Sequence, residues 1–176
     1  SIKKIMEFNP KSHVIITSKG FANENGVTFP QIINKVYPNL IFGILSGPTF
    51  AREVAENLPS AAIVASKNTN LSKNISELFS KTSLRLYISS DPIGVSIAGA
   101  IKNIIAIGSG ISEGLRLGNN AKSALITRGI AELSRIIKAS GGNKETAFGL
   151  AGIGDMTLTC GSSQSRNMKF GLDLAT

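Results

Sequence analysis

Residues 93–111, IGVSIAGAIKNIIAIGSGI, carry one charge, the amine of Lys102. An ammonium removed from water loses hydration, its pKa falls, and it can then exchange protons near neutral pH. On these residues alone two readings stand: a functional amine on a buried helix, or a lysine whose stem is buried and whose head snorkels out along one wet stripe. Two other positions suit an anion. Lys19-Gly20 closes one short apolar run and Ser46-Gly47-Pro48-Thr49 closes another. In sheets covered on both faces, ligands gather at such strand ends, where loops and helix N-termini present free N–H groups. A surface lysine and a plain turn explain the same residues, and both alternatives stay open.

The elements that must position these groups can be read from periodicity. Residues 13–17 (HVIIT), 40–45 (LIFGIL) and 61–65 (AAIVA) are apolar rather than alternating, as buried strands are. Residues 84–88 (LRLYI) alternate like an edge strand. Helical signals lie between them: Pro48 as a first helical residue leading into 50–57, and Leu71, Ile75, Leu78 and Phe79 within 70–81. After Asp91-Pro92 no further strand is expected. Residues 120–139 form an amphipathic helix with Ile126, Ile130, Leu133 and Ile137 on one face, ended by Gly141-Gly142. Gly-rich turns through 149–155 and a polar loop over 161–167 follow. The fold class is thus α/β followed by all-α, with a boundary near Asp91.

Composition narrows the function classes. A chain of 176 residues with 42% apolar content can bury its own core, and 19 Lys and Arg against 11 Asp and Glu give a net +8 that attracts anions. The basic residues are scattered rather than clustered among aromatics, which argues against a nucleic-acid face. One His and one Cys speak against a structural zinc site and against a disulfide framework, and the lone Cys fits a reducing compartment. No signal-peptide pattern opens the chain, and a cytoplasmic location is expected.

Two other readings of 93–111 fail. A transmembrane span would hold a central Lys at a cost of about 2.5–3.5 kcal/mol, with Asn103 and four glycines weakening it further. Gly108-Ser109-Gly110 followed by Gly114 imitates a dinucleotide fingerprint, but the last glycine is one position late and no apolar helix start follows.

The series Ser18-Lys19-Gly20, LSGPTFAREV from Leu45, Gly99-Ala100-Ile101-Lys102-Asn103-Ile104, Gly152-Ile153-Gly154-Asp155 and Ser165-Arg166-Asn167 resembles, in order and spacing, the bacterial NAD(P)-dependent glycerol-3-phosphate dehydrogenases. The resemblance implies the C-terminal part of a Rossmann-like parallel sheet over 1–91, joined to a helical, 6-phosphogluconate-dehydrogenase-like substrate domain over 92–176. It implies interconversion of dihydroxyacetone phosphate and sn-glycerol 3-phosphate, supplying glycerophospholipid synthesis. Lys102 would be the general acid/base on the C2 oxygen, with Lys19 and Asp155 as its catalytic neighbours. Gly47, Thr49, Asn103, Thr159, Ser165, Arg166 and Asn167, with Lys19, Lys102 and Asp155, would contact substrate. Lys19, Ala51 and Arg166 would contact NAD or NADP.

The chemistry fits those residue types. Ketone reduction needs a proton donor at the developing alkoxide, which an ammonium provides together with its charge. A phosphate needs several donors, and the guanidinium fork supplies two. Asp155 would oppose the effect of burial on Lys102.

The resemblance also departs from the family. Ser96 stands where the family usually has Glu. The Gly-rich dinucleotide turn and its acidic companion would precede Ser1, so the expectation is a fragment, inactive alone, that forms a homodimer or is completed by a complementing N-terminal segment. No nucleic-acid binding and no membrane insertion are expected. A non-enzymatic remnant or helical interaction module is the competing reading.

Overall fold

The computed structural model describes residues 2–9, 11–22 and 25–176. Four strands, β1 (Val14–Ile16), β2 (Phe42–Ser46), β3 (Ser60–Ala65) and β4 (Leu84–Ser89), form one sheet in sequence order. β1 and β2 are parallel, as are β3 and β4, while β2 and β3 pair antiparallel with Ser46 opposite Ile63. The expected parallel arrangement therefore holds at two of three junctions. At the third, the chain returns through the short helix α3 (Ala51–Ala55), and so brief a connection turns back where it left the sheet.

Apolar strands imply two covered faces, and both are present. One face carries Phe42, Ile44 and Ala65, packed with Ile33 of α2 (Phe29–Val36) and with Val95, Ile97 and Ala98 of α5 (Pro92–Gly114). The other carries Ala62, Val64, Leu84 and Leu86 against Ile75 and Phe79 of the α4 (Thr69–Leu78) region.

Helix α5 is the axis of the molecule. It is long and apolar enough to cross a membrane, yet 61% of its most apolar window is buried inside the protein. Around it pack α6 (Gly118–Ala139), α7 (Asp155–Gly161) and α8 (Arg166–Leu174). The α5–α8 crossing brings backbone to backbone: a Cβ at Gly110 would strike the Met168 carbonyl, and one at Gly171 the Ile107 carbonyl.

The buried carboxylate of Asp91 caps α5 by accepting from Gly94 N at 2.9 Å. Its second oxygen accepts from Asn143 N at 2.9 Å and Thr146 Oγ1 at 2.6 Å, fastening the start of α5 to the segment after α6. That segment is a 3₁₀ turn (Lys144–Phe148) and a π-turn (Leu150–Gly154) running into α7, where the sequence reads only as Gly-rich turns. Helices α1 (Ile2–Phe8), α2, α7 and α8 are also additions to the periodicity reading. Pro48 does not open a helix. Gly47 adopts φ +149, Thr49 N bonds back to Gly47 O at 2.9 Å, and α3 begins only at Ala51.

Candidate active site

Three elements deliver the charged groups. Lys19 follows β1, Lys102 lies mid-way along α5, and Asp155 is the first residue of α7, carried there by the π-turn. Gly152 within that turn cannot carry a side chain, because a Cβ would overlap the Ala147 backbone. The Lys19 stem crosses α5 at Gly99, where a Cβ would lie 3.4 Å from Lys19 Cγ.

Their ends meet. Lys102, 7% exposed, donates to Asp155 Oδ1 at 2.7 Å and to Thr159 Oγ1 at 2.9 Å. Lys19 donates to Asp155 Oδ2 at 2.5 Å. Thr159 in turn donates to the Asp155 backbone carbonyl at 2.6 Å. The snorkelling alternative for Lys102 is thereby displaced: the head is paired inside rather than reaching water. The competition between burial and the carboxylate is decided as well. Burial lowers the Lys102 pKa, Asp155 raises it in part, and the neighbouring Lys19 charge lowers it again.

These groups border a cleft of about 570 Å³ lined also by Thr49, Ala51, Asn103, Ser165, Arg166 and Asn167. Asn167 Nδ2 donates to Asn103 Oδ1 at 2.8 Å, linking α8 to α5 across its floor. Ser165 is spent locally, its hydroxyl accepting from Met168 N at 3.2 Å as the N-cap of α8. The Arg166 guanidinium, exposed at the rim, has no hydrogen-bond or ion-pair partner among the described residues. Three cations and one carboxylate thus face one cavity, an arrangement that holds a dianion and presents a proton beside it.

All the residues expected at the site line this cleft except Gly47, which shapes the turn beneath it: a Cβ there would come within 2.8 Å of Ala62 Cα. Phe50, Leu158 and Gln164 line it too and are additions. Only Gln164 fell within a segment marked as a loop of interest; Leu158 could be found as the position one helical turn after Asp155.

Lys19, Thr49 and Ala51 also border a second chamber of about 410 Å³, whose walls include Leu45, Val54, Ala55, Ala62 and Leu84. Cys160 lies behind the cleft, fully buried, its thiol pushed up to about 11 by burial.

Comparison with known proteins agrees with this geometry. The model for the N-terminus of NAD-dependent glycerol-3-phosphate dehydrogenase matches residues 1–72, and that for its C-terminus matches residues 91–176. A glycerol-3-phosphate dehydrogenase [NAD(P)+] of Nitrosomonas europaea is 44% identical over 176 residues, covering 99% of this chain and 54% of that protein. The crystal structure of the Coxiella burnetii glycerol-3-phosphate dehydrogenase superposes with a TM-score of 0.90 at 41% identity, over 98% of this chain and 54% of that one. The yeast enzyme superposes at 0.80 with 32% identity, over 92% and 49% respectively. The chain spans about half the length of the relatives it matches. Matched along nearly its whole length by the two halves of one family's description, the chain belongs to the NAD-dependent glycerol-3-phosphate dehydrogenases.

Proposed function

We propose that this chain carries the proton-transfer and phosphate-holding side of an NAD(P)-dependent glycerol-3-phosphate dehydrogenase, acting on dihydroxyacetone phosphate and sn-glycerol 3-phosphate. The observation that carries the reading is the Lys19–Asp155–Lys102 chain of contacts at the wall of a cationic cleft. Arg166 holds the phosphate by its fork, with Asn167 and the α8 N-terminus beside it. Lys102 gives its proton to the C2 oxygen as the ketone is reduced and takes it back in the reverse direction. Asp155 fixes the position of both amines, and Thr159 holds the Lys102 head against rotation. Lys19 stabilises the developing alkoxide and screens Asp155 from it.

The mostly apolar chamber behind Thr49 and Ala51 fits a flat heteroaromatic ring, and Lys19, Ala51 and Arg166 are the residues that would hold the nicotinamide end of the cofactor. When bound, that group exchanges hydride with C2. We place the division between nucleotide-binding and substrate domains at Asp91, where β4 gives way to α5 and the second family match begins.

The assay is reduction of dihydroxyacetone phosphate with NADH or NADPH, using the chain alone and the chain co-expressed with the nucleotide-binding segment of the Coxiella relative. The expected result is negligible turnover by the chain alone and turnover on complementation, lost by a factor of about 10³ or more in Lys102→Ala. Turnover equal in Lys102→Ala and the parent would refute the assignment. Failure of the segment to bind, with substrate still bound in the cleft, would favour a non-enzymatic interaction module.

A further inference from the structure

We propose that the turn joining α5 to α6 is a second oxyanion site, separate from the cleft, that takes inorganic phosphate or the head of a phosphate monoester. It surrounds a cavity of about 420 Å³ bounded by Ser112, Glu113, Arg116, Gly118, Asn119 and Lys122, none of which lines the Lys102 cleft. Ten residues of helix separate Ser112 from Lys102, about 15 Å along the axis.

Three independent features point to an anion. Ser112 is 7% exposed and its hydroxyl has no partner, an arrangement that leaves a buried polar group unpaid by any contact within the fold. Helix α6, 22 residues long, begins at Gly118 without a side-chain cap on Leu117 and without an acidic residue in its first turn, so its leading N–H groups and the positive end of its dipole are uncompensated. Arg116 holds φ 55, and its guanidinium has no partner among the described residues. The one acidic group at the cavity, Glu113, accepts from Lys122 Nζ at 2.9 Å, so its charge is already matched. Free amides at a helix start together with an unpaired guanidinium favour a tetrahedral oxyanion over a planar carboxylate, because they offer donors from several directions.

The test is a ¹H–¹⁵N titration of the chain with inorganic phosphate. Saturable shifts are expected at the amides of Gly118, Asn119 and Asn120, unchanged in Arg166→Ala, which disables the cleft. Arg116→Gly suits the left-handed backbone and removes only the guanidinium; it should weaken that binding about tenfold, with Arg116→Lys intermediate. Absence of saturable shifts at the three amides, an affinity unchanged in Arg116→Gly, or loss of the shifts in Arg166→Ala would overturn the proposal. Because the readout is local and the cleft variant is its own control, the result does not depend on the dehydrogenase assignment.

Discussion

The Lys102 amine answers to three neighbours of known sign, which makes its titration a sharp test of the geometry. Burial and Lys19 lower its pKa while Asp155 raises it. Asp155→Asn should therefore move the Lys102 transition to lower pH and Lys19→Gln to higher pH, as read from the Lys side-chain resonances. Since only the ammonium can donate, ketone reduction should fall as pH rises through the Lys102 pKa, and the alkaline limb should move with each variant in the same direction. Cys160 offers a second check. With its thiol raised to about 11, about one in a thousand molecules carries thiolate at pH 8, so a thiol-alkylating reagent should label the native chain far more slowly than the denatured one. Lys102 was legible in the sequence because one charge in an apolar run is conspicuous. Its pairing with Asp155, 53 positions away, was reached only through family resemblance, since no local pattern encodes a contact made by separate elements.

Among the elements, the strands and the long helices follow their hydrophobic patterns to within a residue or two. The 3₁₀ and π-turns before Asp155 do not, because they are shaped by contacts of Ala147 and Gly152 rather than by periodicity. Helix α8 was hidden for a similar reason: its inward face is largely Met168 and Gly171, and a glycine at a backbone crossing contributes no hydrophobic signal. Gly110→Ala should cost about 2 kcal/mol or more, since the obstructing atoms are Met168 and Gly171 backbone. Asp91→Ala removes a cap and two further acceptor contacts, and should lower stability by about 3 kcal/mol in urea denaturation. Asp91→Asn, which keeps an acceptor for Gly94, should cost less.

For the whole molecule, the net +8 and the cationic cleft act together on anionic ligands. Binding of sn-glycerol 3-phosphate should weaken as salt is raised, and the dependence should flatten in Arg166→Ala. The boundary read near Asp91 marks a change of architecture and not a seam. Helix α5 supplies Val95, Ile97 and Ala98 to the same cluster that holds Phe42 and Ile44 from the sheet and Ile130 and Leu133 from α6. Asp91 itself is clamped to Asn143 and Thr146. A helix common to both parts leaves neither with a complete interior if the other melts. The chain should consequently unfold in one calorimetric step, its van't Hoff and calorimetric enthalpies equal, and two resolved transitions would show that the shared helix does not couple them.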